Sequence, residues 1–311
     1  MSKVNTVLGP IDSSALGRTR MHEHLLIGWL GVELDPLINF NREEAVKMVT
    51  DMLLTMKKRR TTTVVDATPN NLSRHVDFMM MAAEASGMNV VAATGLTDRA
   101  FLPFHFAQMD IDGLAAMMET EITRGIQNTS ARAGVIKVGT GEDNVIDSEE
   151  RLLRAAARVS RSTGVPIITH THLGTLGIEQ IDIFESEGAD LSRVVIGHTC
   201  CSSDIKYYLG IMERGAYAGF DRIGYEEFQR NEVRLVAIAG LISMGHTERL
   251  VLSQDAIMAV WDKPCLPASQ EEKRLNFLDD EFIPRLQQGG IAPQSIERIM
   301  TDNPRHIFEG S

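Results

Sequence analysis

Cysteine and aromatic residues are scarce in this chain: 311 residues include three cysteines, two tryptophans and four tyrosines, and aromatics make up 5% of the total. Cys200, Cys201 and Cys265 are too few for the disulfide framework of a small secreted domain, and their spacing matches no zinc knuckle. They suit a reducing compartment, and the adjacent pair Cys200-Cys201 reads as packing residues rather than as a redox couple. Positive charge is also short. The 31 Lys and Arg against 42 Asp and Glu leave a formal charge of −11 and a pI near 5.3, which argues against the concentrated basic surface that a nucleic-acid partner requires. The one basic run, Lys57-Lys58-Arg59-Arg60, closes an amphipathic helical pattern, where cations favour the C-terminal end of the helix dipole. No apolar run approaches the ~20 residues needed to cross a bilayer. Residues 1–16 lack the apolar core of a signal peptide, so the expectation is a cytoplasmic protein with no membrane partner.

What the chain does have is an ordinary globular balance, 43% hydrophobic and 23% charged. An α/β barrel commonly uses about 250 residues as one unit, so residues 1–311 are expected to form a single domain. Short β-branched runs at 19–25, 62–67, 89–95, 134–139, 166–172, 193–198, 216–222 and 249–255 alternate with helical patterns. Asn41 with Glu44 forms a capping-box pattern ahead of an apolar face made by Ala45, Val46, Val49, Met52, Leu53 and Met56. Ser73 is the expected cap of the next helix, with Gly87 at its end. Met79-Met80-Met81 within that helix reads as core filling, and Asp147 and Glu150 start a further helix that stops near Gly164. Eight β-α units imply a parallel sheet, and the predicted fold is a (β/α)8 TIM barrel; an open doubly wound sheet is the alternative. The barrel is preferred because candidate ligands leave the C-terminal ends of at least five separated strands, which only a closed barrel brings together.

Those ligands are His22 and His24, Lys137, His170, His198 and Asp255. Side chains at i and i+2 share one face of a strand, so His22 and His24 can converge on one cation. Polar residues in apolar strands need partners, since burying an unsatisfied group costs on the order of 1–3 kcal/mol, and metal would satisfy all of them together. Lys137 stands among Val135, Ile136 and Val138. Burial lowers an ammonium's pKa, and the neutral amine reacts with carbon dioxide to give a carbamate able to bridge two divalent ions. Histidine, carboxylate and carbamate ligands suit zinc, manganese, iron or cobalt.

The motifs Met21-His22-Glu23-His24-Leu25, Thr169-His170-Thr171-His172, Ile196-Gly197-His198, Ser253-Gln254-Asp255 and Asn303-Pro304-Arg305 run through nearly the whole chain. In this order the sequence resembles the phosphotriesterase family of the amidohydrolase superfamily. The resemblance implies two divalent metal ions: His22, His24 and Asp255 on the more buried one, His170 and His198 on the more exposed one, and Lys137, as N6-carboxylysine, bridging both. It further implies a bridging hydroxide as nucleophile, with Asp255 carrying its proton to the leaving group.

Phe220-Asp221-Arg222-Ile223-Gly224 resembles the phosphotriesterase-like lactonase branch. That likeness places Arg222 at the substrate pocket, as a catalytic and substrate-binding residue, with Asp221 beneath it supporting the metal site. A structural Arg222, paired to Glu226 or Glu227, is the alternative. His172 is expected on the pocket wall. Thr97 stands where the branch usually has a tyrosine reaching over the metals. Trp261 belongs to the apolar segment 256–277, which reads as a lid, a binding loop or a dimer interface.

The expected activity is lactone hydrolysis, on acyl-homoserine or γ/δ-lactones, with phosphotriesters as a side reaction. The alternatives are an aryl phosphotriesterase or esterase, and a phosphorylated sugar lactonase using Arg99, Arg230 and Lys263. A metal-free binding scaffold is a reading from another class, and a homodimer is the default assembly.

Overall fold

A computed structural model describes residues 2–29, 31–97, 102–263 and 274–310; Arg99 and Cys265 lie outside the described residues. Among the described residues ten strands follow one another as β1 (Lys3–Thr6), β2 (Gly9–Asp12), β3 (Thr19–Glu23), β4 (Thr63–Asp66), β5 (Asn89–Thr94), β6 (Val135–Thr140), β7 (Ile167–Thr171), β8 (Val194–Ile196), β9 (Tyr217–Phe220) and β10 (Leu250–Leu252). Strands β3 to β10 pair in sequence order as an eight-stranded parallel sheet. Past Leu252 the chain closes this sheet against β3: Asp255 N–H donates to the His22 carbonyl at 3.0 Å, and His24 N–H to the Ala256 carbonyl at 2.9 Å. The fold is the predicted (β/α)8 barrel, and its seam runs through three of the predicted ligand positions, His22, His24 and Asp255.

Alternation along the strands makes two cores. One face, carrying Val64, Val90, Ile136, Ile167, Val194 and Leu250, packs beneath the surrounding helices with Val49, Met52, Leu53 and Leu153. The other face fills the barrel with Met21, Val65, Val91, Val135, Ile168, Val195 and Val251. Full burial of one such side chain is worth roughly 1.5–3 kcal/mol. The floor of the barrel is stopped by Val4 and Leu16 from the N-terminal segment and by Ile307 and Phe308 from the helix Asn303–Glu309. The antiparallel hairpin of β1 and β2 carries Val4 and was not among the predicted strands. Asn303 secures the last helix by donating its side-chain amide to the Thr247 and Leu250 carbonyls at 2.8 and 2.7 Å.

Local signals mostly act as expected. The Asn41 side chain accepts from Glu44 N–H at 3.2 Å at the start of the helix Arg42–Lys58, whose last turn holds Lys57 and Lys58. Ser73 does not cap the helix Val76–Ser86: at φ 49° it ends the preceding turn. His75 is the cap residue, and the free N–H of Val76 is satisfied by the Gln127 side chain at 3.0 Å. Within that helix Met79 is buried, while Met81 is 43% exposed and fills no core. The helix Asp147–Thr163 starts with Asp147 and Glu150 in its first turn as expected, and the Glu149 carboxylate between them accepts from Ile146 and Gly141 N–H at 3.0 and 2.9 Å. Among the described residues no helix is long and apolar enough to cross a membrane.

Candidate metal centre

The site grows out of the inward faces of the strands, one layer above the apolar filling. On β6, Lys137 follows Val135 by two residues; on β7, His170 follows Ile168; beyond β9, Asp221 follows Gly219; beyond β10, Asp255 follows Ser253 and Val251. A register irregularity between Arg20 and Glu23 lets both Met21, in the apolar layer, and His22, above it, face the interior. His198 at φ 59° and Asp255 at φ 53° adopt the left-handed region, a backbone conformation that costs non-glycine residues on the order of 1 kcal/mol or more. Both turn their side chains inward as the strand ends.

Asp221 organises the cluster from below. Its two oxygens accept from Nδ1 of His22 at 2.7 Å and from Nδ1 and backbone N–H of His198 at 3.0 and 2.8 Å. Room for it comes from Gly197 and Gly219, where an added Cβ would lie 3.1 Å from Asp221 Oδ2. A carboxylate only accepts, so Nδ1 carries the proton in both rings and each Nε2 keeps its lone pair. His24 is oriented likewise, its Nδ1 lying 2.8 Å from the Thr68 hydroxyl, and Asp66 accepts the backbone N–H of Thr68 and Leu25 at 2.9 and 2.8 Å.

The inward atoms meet. Lys137 Nζ lies 2.8 Å from His22 Nε2. Asp255 Oδ1 lies 3.1 Å from His24 Nε2 and 3.6 Å from His22 Nε2, and its Oδ2 is 3.8 Å from His198 Nε2. The His170 ring stands edge-on to His198 with centroids 4.6 Å apart. All six predicted ligands are thus brought together, and His22, His198 and Asp255 offer donor atoms within 4.8 Å of one another.

Burial governs the protonation states. It is the largest influence lowering the His22 pKa to about 3, with the Lys137 charge adding to it and Asp221 opposing. Burial also lowers His170 and His198. Burial brings Lys137 down to about 8, against the pull of Asp255 and Asp221. For Asp221 and Asp255 burial acts upward, yet His198 and His22 outweigh it and hold both carboxyls well below their usual range. The centre sets the imidazoles of His22, His170 and His198, held neutral by burial, around the ionised Asp255 carboxylate, with Lys137 beside them. That donor set fits divalent cations, which would relieve the lone-pair crowding and replace the hydration that burial removes.

The positions expected to touch substrate divide. Arg222 reaches the centre: its Nε donates to Asp255 Oδ2 at 3.0 Å and its guanidinium lies 4.3 Å over the Phe228 ring. Its carboxylate partner is therefore Asp255, not Glu226 or Glu227; Glu226 accepts from Asn231 instead. His172 stands at the rim, 6.2 Å ring to ring from His170, with Nε2 2.7 Å from Glu142 Oε1. Thr97 is buried and tied through its backbone N–H and carbonyl to the Asn71 amide at 3.1 and 2.5 Å. Trp261 packs against Phe40 and His75 with tilted rings, centroids 4.1 and 4.7 Å away. Arg230 and Lys263 are exposed. Beside the centre, between the chain following β9 and that following β10, lies a cavity of about 420 Å³ lined by Tyr225, Glu227, Gln254, Ala256, Arg274 and Phe277. Tyr225 OH, on the wall of this cavity, donates to the Asp255 main-chain carbonyl at 3.1 Å.

Sequence reasoning missed Thr68, Asp66, Tyr225 and Glu23. The buried Glu23 carboxylate, between the two first histidines, accepts from Ser253 Oγ, Gln254 N–H and Ala256 N–H at 2.9, 3.1 and 2.6 Å. It locks the seam that carries Asp255. A charged residue inside an otherwise buried strand was the available signal.

A parallel barrel whose mouth gathers histidines, a lysine and a carboxylate defines a metal-dependent hydrolase. The sequence model of the phosphotriesterase family matches residues 2–308, and the chain belongs to that family. It is 35% identical over 320 residues to a phosphotriesterase homology protein of Mycobacterium tuberculosis, covering 99% of this chain and 98% of that one. It is 30% identical to an aryldialkylphosphatase of Saccharolobus solfataricus, over 96% of both chains. A variant of a PTE-like lactonase from Deinococcus radiodurans superposes with a TM-score of 0.92 at 33% identity, covering 98% of this chain and 99% of that one. The protein is accordingly a hydrolase acting on ester bonds, with small-molecule ester or lactone substrates as its class.

Proposed function

We propose that this hydrolase opens lactone rings. The observation that carries the reading is the placement of Arg222, 3.0 Å from Asp255 and at the edge of the metal centre, with the 420 Å³ cavity on the other side of Asp255. The likeness to a PTE-like lactonase supports it. In this reading His22, His24 and Asp255 would hold one cation, His170 and His198 would hold a second, and Lys137 would join them. Lys137 takes the bridging role when its neutral amine forms an N–C bond to carbon dioxide and releases a proton to solvent, leaving an anionic carbamate. Bound divalent cations, zinc, manganese, cobalt or iron, supply acidified water and polarise the ester carbonyl.

The chain's own groups do the rest. Asp255, held ionised, accepts the proton of the attacking water and returns it to the ring oxygen as the C–O bond breaks. Arg222 donates an N–H to the substrate's ester oxygens and so orients the ring. The cavity lined by Tyr225 and Phe277 receives the ring substituent. The test is catalytic efficiency of protein reconstituted with manganese, zinc or cobalt, with bicarbonate present, on a long-chain lactone, a phosphorylated sugar lactone and an aryl phosphotriester. A large preference for either lactone supports the reading; a preference for the phosphotriester overturns it.

A further inference from the structure

Two adjacent thiols meet one arginine. Cys200 and Cys201 follow His198 in the short 3-10 turn Thr199–Cys201, and both are buried. The backbone N–H of Arg222 donates to Cys200 Sγ at 3.4 Å, and an Nη of the same residue donates to Cys201 Sγ at 3.8 Å. One sulfur thus holds the main chain of Arg222 and the other its head group. The turn itself is braced: Cys201 N–H donates to the His198 carbonyl at 3.0 Å, Arg234 Nε donates to the Cys200 carbonyl at 3.4 Å, and Tyr208 OH donates to the Ser202 carbonyl at 2.5 Å. Around the guanidinium stand the Asp255 carboxylate at 3.0 Å, the Cys201 sulfur at 3.8 Å and the Phe228 ring at 4.3 Å.

A free arginine side chain samples many rotamers, and immobilising one costs conformational entropy. A site gains from Arg222 only if that cost is met before substrate arrives. Asp255 meets the guanidinium only through Nε, at 3.0 Å, and leaves the far end of the head group to other partners. We propose that the Cys200–Cys201 pair is the positioning element of Arg222, with Cys201 holding the guanidinium at the mouth through its sulfur. The pair therefore couples the turn that carries His198 to the group that orients substrate. This rests on the substrate-orienting role given to Arg222 above.

The test is a double-mutant cycle with Cys201→Ala, Cys201→Ser, Arg222→Ala and the double variant Cys201→Ala/Arg222→Ala. Each is reconstituted with manganese, checked for metal content and thermal midpoint, and assayed on a lactone and on an activated aryl ester. Cys201→Ala is expected to lower kcat/KM on the lactone about fivefold and on the aryl ester less than about twofold, with metal content unchanged. Cys201→Ser, whose hydroxyl still accepts from the guanidinium, is expected to return to within about twofold of the parent. In the Arg222→Ala background Cys201→Ala should add nothing. Equal losses in both backgrounds, or equal losses for Ala and Ser, would overturn the proposal and leave Cys201 as packing. If Cys201→Ala lowers the thermal midpoint enough to impair folding, Cys201→Val fills the volume without an acceptor and carries the same cycle. Should Arg222→Ala itself leave lactone turnover unchanged, the role of Arg222 fails, and this inference with it.

Discussion

The two ends of the barrel interior are built from the same strands and do opposite things. On β7, Ile168 packs against Val135 and Val195 in the apolar filling, and two residues on His170 enters the polar cluster. On β6 the same step leads from Val135 to Lys137, and past β10 from Val251 by way of Ser253 to Asp255. Below, the side chains are close-packed, and burial is the driving force. Above, burial is an opposing force, which lowers His22 to about 3 and Lys137 to about 8 and must be offset by Asp221, Thr68 and bound cations. The lower layer supplies the stability that lets the upper one hold an arrangement no free peptide would keep.

Four experiments break or sharpen that contrast. Lys137→Ala removes the bridging group from the upper layer, and activity should fall about 10³-fold or more with loss of bound metal. Small carboxylic acids should partly restore turnover by standing in for the carbamate; assays with and without acetate or propionate check this, and no rescue would count against that role. Ile168→Ala, one step below His170, should instead cost about 2–5 kcal/mol in denaturant unfolding while leaving metal stoichiometry intact. An Ile168 variant that folds normally but loses metal would erase the distinction between the layers. Arg222→Ala should lower kcat/KM about 100-fold on the true substrate and less than about tenfold on an unrelated activated ester. Equal losses on both would make Arg222 a structural residue.

The smallest effect is in the pH dependence of the metal-free protein. His22 titrates near 3 in the folded chain, below its ordinary 6.5, so on acidification the unfolded chain takes up the proton first. Its contribution is complete above about pH 6.5 and declines as the pH falls toward 3, by about 2 kcal/mol between pH 7 and pH 5. His170 and His198, lowered in the same direction, add to it. Asp221 acts later, below the ordinary carboxylate range. Thermal midpoints of chelator-treated protein from pH 8 to 4 should fall monotonically; a flat profile would mean these imidazoles are not held neutral.

Much of this was legible without coordinates. Strand positions followed from alternating β-branched runs, and the six ligand positions from polar residues at the ends of those runs. What stayed hidden depends on partners distant in the chain. The acceptor for the first N–H of the helix Val76–Ser86 is the side chain of Gln127, which no local pattern announces. Thr68 looks like any turn threonine until His24 is set beside it. Arg222 offered two nearby glutamates as partners, whereas the residue it pairs with is Asp255, on the next strand end. The cysteine pair, read as packing, turned out to face that arginine.

By itself the sequence determined the repeating β-α unit, the parallel sheet and the identity of the donor groups. These depend on periodicity and side-chain chemistry, which are local properties. Only the tertiary structure decided how the donors are shared: closing the barrel at His22 and His24 against the chain beyond β10 set Asp255 among the imidazoles, and the space at Gly197 and Gly219 admitted Asp221 beneath them. Distances and protonation states at the mouth follow from burial and from neighbours brought across the barrel, and neither exists until the sheet has closed.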